Sequence, residues 1–215
     1  GISIAATAPR IEPVTATEAD YTPQAWANLQ EYRSRWDVAE QDDPARFCVR
    51  QGMPNTMTSR ARDYVVDISQ SADRIVVLVE FMDNFRVIHL HGKPAPATLN
   101  ASNNGYSTAR FEGNDLVVET TMLKARPAVG PVQRSDQATI AERWSLRDDP
   151  VHGKVLQVDL TVTDPLVFRK PMQARQVWKR APADAALNEY ACADALWDDH
   201  VAARQAGMAS RGAPK

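Results

Sequence analysis

The chain has 215 residues, of which 25 are basic and 27 are acidic, so its formal net charge is −2. This length suffices for one domain with a substantial core, and all-β domains of this size are common. The near-neutral balance, without a basic block or a basic stripe interleaved with aromatic residues, argues against nucleic acid as a partner. No apolar run approaches the roughly 20 residues of a membrane-spanning helix, so no transmembrane segment is predicted.

The N-terminal segment points to export. Residues 1–20 are rich in Ala, Thr and Pro and show no periodicity, so they are predicted to form an extended arm. The chain starts with small apolar residues and without Met, as it would after removal of a signal peptide, although a shortened chain would begin in the same way. A periplasmic or secreted location is therefore expected.

The chain has two cysteines, Cys48 and Cys192, far apart in sequence. In an exported protein they are expected to form one long-range disulfide, which adds about 4 to 5 kcal/mol in the chain-entropy model. Two buried free thiols in a cytosolic protein are the alternative.

A helix is predicted at the start of the folded region. Thr22 has the residue type of an N-cap, and Pro23 suits the first helical position. Trp26, Leu29 and Trp36 follow at helical spacing and give this helix an apolar stripe.

From Tyr64 onward the composition indicates an all-β region, because β-branched residues dominate and turn signals recur at intervals of roughly 8 to 12 residues. The clearest strand is Lys154–Thr163, in which leucine and valine alternate with polar residues. Eight strands are predicted: Tyr64–Gln70, Arg74–Met82, Phe85–His91, Ser107–Glu112, Leu116–Lys124, Ile140–Arg147, Lys154–Thr163 and Met172–Lys179.

The C-terminal part returns to helical spacing. Ala183–Gly207 is rich in alanine and predicts a helix, in which a break near Cys192 is left open. The predicted organisation is therefore one domain over residues 21–207, followed by a flexible tail at residues 208–215.

Sequential antiparallel strands with short turns must bury one face and protect two edges, and closure into a barrel does both. The predicted fold is mainly β, an antiparallel up-and-down, lipocalin-like barrel with an N-terminal and a C-terminal helix. An eight-stranded barrel holds either packed side chains or one small ligand. A β-sandwich is the alternative fold.

The segment from about residue 45 to Cys192 contains an ordered series of short motifs: Phe47-Cys48, Gly52-Met53-Pro54, Met57, Ser71-Ala72-Asp73-Arg74-Ile75-Val76, Glu80, Phe85-Arg86-Val87-Ile88, Gly92-Lys93-Pro94, Phe111-Glu112-Gly113-Asn114-Asp115-Leu116-Val117-Val118-Glu119-Thr120, Glu142-Arg143-Trp144 and Asn188-Glu189-Tyr190-Ala191-Cys192. With this series the chain resembles a widespread group of exported, β-rich bacterial proteins that are recorded as uncharacterised or hypothetical. The resemblance implies an exported location and a compact β domain, and it implies no activity.

Members of that group often carry histidines where this chain has Ala95, Tyr106 and Thr139. A metal or acid/base site built on those histidines would therefore be missing here. His89 and His91 stand where relatives tend to have Tyr and Asp, as a replacement site or as drift. A catalytic zinc site needs a third protein ligand, so no metal site is predicted. No other cofactor is predicted.

Four polar residues share strand faces with apolar neighbours. A buried charge is costly unless it is paired, so the carboxylates are expected to meet an arginine, with Glu80 and Arg86 as natural partners across their hairpin. A structural salt bridge in a filled barrel, or a face assignment wrong by one residue, is the alternative. The four residues are Glu80, Arg86, Glu142 and Gln176.

The leading functional prediction is a binding protein for a small, mostly apolar molecule in the barrel interior. Its ligand-binding residues are Arg86 and Gln176 with Trp144 and Trp178, although tryptophans at strand spacing are more often core residues. The sequence indicates no oligomeric state.

Two alternatives remain open. The first is cofactor-independent acid/base catalysis of the isomerase, cyclase or lyase type, with Glu80 and Glu142 as catalytic carboxylates and Tyr106 as proton donor. The second is a structural or interaction protein with a filled barrel. No nucleophile elbow, phosphate loop, dinucleotide fingerprint or HExxH occurs, which argues against the common hydrolases, kinases and dehydrogenases.

Overall fold

A computed structural model of the chain describes residues 2–6, 16–34, 48–58, 64–126 and 133–212. Most regular structure in these ranges is β. The strands are β1 (Ile2–Ala6), β2 (Val65–Gln70), β3 (Arg74–Val79), β4 (Asn84–Leu90), β5 (Tyr106–Glu112), β6 (Asp115–Thr121), β7 (Thr139–Asp149), β8 (Gly153–Thr163) and β9 (Met172–Arg180). The helices are α1 (Pro23–Ser34), α2 (Asn55–Thr58) and α3 (Cys192–Gly212), with 3₁₀ turns at Glu18–Asp20 and Phe81–Asp83.

The eight strands predicted from the sequence are all present, as β2 to β9, with ends that differ by a few residues. The alternation in β8 is confirmed, because Val158 and Leu160 are buried and Leu156 and Val162 pack against the same core. This is the burial pattern of a strand with one face on a core and one face towards water.

The strands form one curled sheet in sequence order, and β1 pairs with both β2 and β9 to close it into a barrel. This arrangement is a single sheet and not a sandwich of two. One pairing departs from the predicted up-and-down plan: β4 and β5 are parallel, with Ile88 opposite Ser107. The physical reason is the connection over residues 91–105, which returns along the barrel wall and brings β5 in from the end where β4 begins.

The N-terminal region joins the barrel through β1, which lies within the predicted arm. The predicted helix cap is confirmed, since the backbone N–H of Ala25 donates to Thr22 Oγ1 at 3.3 Å. Leu29 packs with Val167 in a small cluster outside the main core. Trp36, also predicted on this stripe, lies outside the described residues.

The C-terminal helix starts later than predicted, at Cys192, and continues to Gly212 into the segment predicted as a tail. The residues before it are not helical because they are bonded to the turn after β3: Tyr190 N–H donates to Asp83 Oδ1 at 2.9 Å. The predicted disulfide joins Cys48 to Cys192, with Cα atoms 5.7 Å apart. None of the helices in the described ranges is long and apolar enough to cross a membrane.

The barrel interior holds one hydrophobic cluster contributed by strands on all sides. Met53 and Met57, from α2 and the turn before it, are fully buried in this cluster. Helix α2 lies at the end of the barrel where β4 begins, because Asn84 Nδ2 donates to Thr56 Oγ1 at 2.9 Å.

Candidate functional site

The inner face of β4 carries a buried arginine, Arg86, which is only 1% exposed. Its guanidinium forms a bidentate ion pair with Glu142 of β7, with Nη1 3.1 Å from Oε1 and Nη2 bonded to Oε2. Both side chains are almost completely excluded from solvent. The prediction that a carboxylate meets Arg86 is confirmed for Glu142.

Two hydroxyl groups complete this pair. Arg86 Nε donates to Ser107 Oγ at 3.1 Å, and Nη2 donates to Thr120 Oγ1 at 2.8 Å. The two hydroxyls are themselves 2.9 Å apart and hydrogen bonded. Every guanidinium nitrogen therefore has a hydrogen-bond partner, which is what a buried ion pair needs if the cost of its desolvation is to be offset.

The predicted pairing of Glu80 with Arg86 is wrong. Strand β3 ends at Val79, and Glu80 has αR backbone angles, so it no longer follows the alternation of the strand. An inward Glu80 at the end of a continuous strand would require Val76 and Leu78 to face inward as well, but the buried positions of β3 are Ile75, Val77 and Val79. Because both faces of this strand are apolar in sequence, alternation could not show which face is the inner one.

Glu80 is instead half-buried at the start of the 3₁₀ turn. Its Oε2 accepts from the Val65 N–H and its Oε1 from Asn188 Nδ2, both at 3.4 Å. Glu80 therefore joins the turn to β2 and to the segment before α3.

The remaining predicted interior residues are buried in the core. Gln176 is fully buried and donates from Nε2 to the Val177 carbonyl at 3.2 Å. Trp144 and Trp178 are 5% and 2% exposed and belong to the main hydrophobic cluster. These positions match the core interpretation that the sequence left open for the tryptophans.

Tyr106 lies on the outer side of the sheet, away from Glu142. Its ring stacks on that of His89, with centroids 4.6 Å apart and planes 16° apart. Its hydroxyl donates to the carbonyls of Lys93 and Pro94, each at 3.1 Å, and burial raises the pKa of this phenol. The three residues predicted as catalytic, Tyr106 with Glu80 and Glu142, are thus not brought together.

An open groove of about 460 Å³ lies between the outer face of β4 and the connection that leads to β5. One wall carries Phe85, Val87 and His89, which alternate with the inward residues of the strand. Phe85 is 53% exposed, although an aromatic ring of this size is usually buried. Leu99 and the stacked ring of Tyr106 complete the apolar lining.

Hydrogen bonds hold the far wall of the groove in place. Asn104 donates to Asn84 Oδ1 at 2.8 Å and to the Phe85 carbonyl at 2.7 Å, and accepts from Thr56 Oγ1 at 2.8 Å. Gly52 allows the chain to approach Asn103, because its φ is +70° and a Cβ there would lie 2.0 Å from the Asn103 carbonyl oxygen. The groove is therefore a preformed feature of the fold.

The charged side chains that line the groove are all positive among the described residues. Arg50 and Lys93 line the groove, and no aspartate or glutamate does so within the part of the chain that the structure describes. Arg86 also belongs to the lining, but its guanidinium lies on the inner face of β4 and is paired with Glu142. Burial lowers the pKa of His89, and the nearby cations of Lys93 and Arg74 lower it further. In the same described ranges, no group of three or more His, Cys, Asp or Glu side chains is arranged to hold a metal ion.

Comparisons of the chain with protein-family models, curated proteins and solved structures find no match. The site must therefore be interpreted from its own geometry.

The sequence reasoning missed the groove because its walls come from segments distant in the chain. Arg50 precedes the barrel strands, Phe85 lies on β4, and Leu99 belongs to the following connection. One signal was present in the sequence: Phe85, Val87 and His89 lie on the face of β4 opposite Arg86, so an inward Arg86 requires an outward aromatic residue.

Proposed function

We propose that the protein binds a small, mostly apolar molecule in the groove on the outer face of β4. The observation that carries this proposal is the groove itself, about 460 Å³ in volume and lined by the exposed ring of Phe85. Small-molecule sites are concave, mostly apolar and largely preformed, with volumes of roughly 300 to 1,000 Å³. The hydrogen-bonded wall at Asn104 meets the requirement for preformation.

The interior site expected from the sequence stays a prediction, and the geometry supports the groove better. Inside the barrel, Arg86 is bonded to Glu142 and two hydroxyls, and the tryptophans pack within the hydrophobic cluster. The groove, in contrast, is open to solvent and carries a cation, Arg50, that has no ion pair with any described residue.

Three finer expectations remain proposals. A lipocalin-like barrel is supported by one sheet curled around a single core, although the parallel pairing of β4 with β5 departs from that plan. A periplasmic or secreted location is supported by the Cys48–Cys192 disulfide, because such bonds persist in oxidising compartments. Membership of the group of exported bacterial proteins rests on the sequence motifs.

Acid/base catalysis receives less support. The carboxylate of Glu142 is occupied by Arg86 inside the barrel, and the Tyr106 hydroxyl donates to backbone carbonyls in the groove. A general base and a proton donor must reach the same substrate atoms, so this separation argues against the predicted catalytic set.

The test is titration with N-phenyl-1-naphthylamine, a neutral apolar fluorophore, followed by its emission. Phe85→Ala is compared with Phe111→Ala, because both rings are 53% exposed and only Phe85 lines the groove. We expect Phe85→Ala to weaken binding about tenfold, since a ring covered by the ligand contributes roughly 1.5 to 3 kcal/mol.

The Phe111→Ala control should bind within about twofold of the wild-type protein. Equal weakening by the two substitutions, or no binding by the wild-type protein, would refute the proposal.

A further inference from the structure

The groove carries positive charge that the described structure does not neutralise. This charge comes from Arg50 and Lys93, because the guanidinium of Arg86 is paired with Glu142 inside the barrel and does not face the groove. Arg50 and Lys93 have no ion pair with any described residue, and no carboxylate lines the groove within those ranges. An apolar site with unpaired cations at its edge is complementary to an apolar molecule with an acidic group.

Arg50 is held in position to receive such a group. Its Nε donates to the Met82 carbonyl at 3.1 Å, and its guanidinium carbon lies 5.9 Å from the centroid of the Phe85 ring. Its two terminal nitrogens make no hydrogen bond to the part of the chain that the structure describes. The guanidinium is therefore fixed beside the exposed ring with a pair of donors that fits a carboxylate, sulfonate or phosphate.

Lys93 marks the opposite end of the groove. It lies near His89, because the Lys93 carbonyl accepts from the Tyr106 hydroxyl at 3.1 Å and the Tyr106 ring stacks on that of His89. Phe85 and His89 are four residues apart on an extended strand, a distance of about 13 Å at ~3.3 Å per residue. Both cationic side chains are exposed, but only Arg50 is held by a hydrogen bond, from its Nε to the Met82 carbonyl, whereas the ammonium group of Lys93 makes no hydrogen bond or ion pair with any described residue.

We propose that the ligand of this groove is an amphipathic anion, a free molecule whose acidic group binds Arg50 and whose apolar body covers Phe85 and Val87. This proposal rests on the proposed function and adds the chemical class of the ligand. Arg50 is the specificity-determining residue, because its hydrogen bond to the Met82 carbonyl already orients the guanidinium and lowers the entropy cost of binding, whereas the Lys93 side chain must be ordered by the ligand.

The experiment compares two fluorophores that differ by one group. N-phenyl-1-naphthylamine is neutral, and 1-anilinonaphthalene-8-sulfonate is the same ring system with a sulfonate. We expect the wild-type protein to bind the sulfonate about tenfold more tightly than the neutral probe, because a charge-assisted hydrogen bond is added.

Arg50→Gln should remove that preference, so that the variant binds the sulfonate and the neutral probe with about equal affinity. The matched control is Arg147→Gln, an exposed arginine of β7 outside the groove, which should keep the preference. Lys93→Gln should reduce it less than Arg50→Gln does. Equal affinity of the wild-type protein for both probes, or an equal effect of Arg50→Gln and Arg147→Gln, would overturn the proposal. Failure to bind the neutral probe would instead count against the proposed function itself.

A last arm separates a free molecule from a lipid headgroup. Sodium octanoate should compete with the sulfonate probe, and vesicles of phosphatidylglycerol should not sediment the protein. Sedimentation with those vesicles that is lost in Arg50→Gln, and that phosphatidylcholine vesicles do not produce, would overturn the assignment to a free molecule.

Discussion

The two faces of β4 differ in whether the arginine beside them is neutralised by a carboxylate. On the inner face, Arg86 is completely buried and its guanidinium is matched by Glu142, Ser107 and Thr120. On the outer face, Phe85 is exposed beside Arg50, which has no acidic partner among the described residues.

Arg86 therefore has a structural role, whereas the charge of Arg50 is available to a ligand. A buried cation must be neutralised within the fold, since leaving it unpaired costs several kcal/mol. A cation at the edge of an open groove is hydrated and pays no such cost, so it can remain unpaired until a ligand arrives. The more deeply buried arginine, Arg86, is therefore the structural one, and the exposed Arg50 is the one whose charge is available to a ligand.

The largest effect is expected from breaking the inner pair. Glu142→Gln leaves Arg86 buried without a countercharge, so the free energy of unfolding in urea should fall by about 3 to 5 kcal/mol. Glu119→Gln is the control: this carboxylate is exposed and 3.6 Å from Arg110, and its removal should cost less than about 1 kcal/mol.

A double variant guards against a simple failure to fold. Arg86→Met combined with Glu142→Leu replaces both charges by apolar groups and should recover most of the lost stability. If the double variant is no more stable than Glu142→Gln, the interpretation of the pair as a charge-matched unit is wrong.

An intermediate effect is expected at the end of the groove wall. Gly105 has φ +67° and a Cβ there would lie 2.4 Å from the Thr121 carbonyl oxygen, whereas Gly92 has φ +63° with nothing within 4 Å. Gly92→Ala should cost about 1 kcal/mol from the backbone alone, and Gly105→Ala about 2 to 3 kcal/mol because the neighbouring strand must move.

Urea unfolding measures both glycine variants, and Gly105→Ala should also weaken binding of the neutral fluorophore. Equal costs for the two substitutions would mean that the wall is not held as tightly as its hydrogen bonds indicate.

The smallest expected effect is on the pH dependence of stability, through His89 on the outer face of β4. The pKa of His89 is lowered by burial and by Lys93 and Arg74, so the unfolded chain binds the proton more readily. The contribution of His89 to stability is therefore fully present above the unfolded pKa of about 6.5 and is lost as pH falls through the lower folded pKa.

His89→Phe keeps an aromatic ring against Tyr106 and removes the titration. The loss of stability between about pH 7.5 and about pH 5.5 should be smaller in this variant than in the wild-type protein. His152→Phe, in the exposed turn before β8, is the control and should retain the wild-type loss. An unchanged pH dependence in His89→Phe would exclude His89 as its source.

Local sequence signals predicted the strands well and the site only in part. Clear alternation in β8 and the Thr22-Pro23 start of α1 are both present in the structure. Alternation on β4 also placed Arg86 with Ile88 and Leu90, which are all buried. These features are set by residues that are close together in the chain, so they can be predicted from the sequence.

The errors arose where position depends on distant segments. In β3, valine and leucine occupy both faces, so nothing local indicated that Glu80 would leave the strand and that Glu142 would take its predicted place. The groove depends on the parallel return of β5 beside β4, which encloses Phe85 from the far side. The hydrophobic periodicity of the two strands cannot predict a parallel pairing, because the pairing is set by the path of the connection between them.

The disulfide also determines the covalent topology of the barrel. Cys48 and Cys192 are 144 residues apart, so every strand from β2 to β9 lies inside one closed covalent loop. A single proteolytic cut in any of the intervening turns opens this loop into two pieces that remain joined through the bridge. Arg50, two residues after Cys48, would then stay attached to strands on the far side of the cut, and the groove could survive a nick that separates an uncrosslinked barrel.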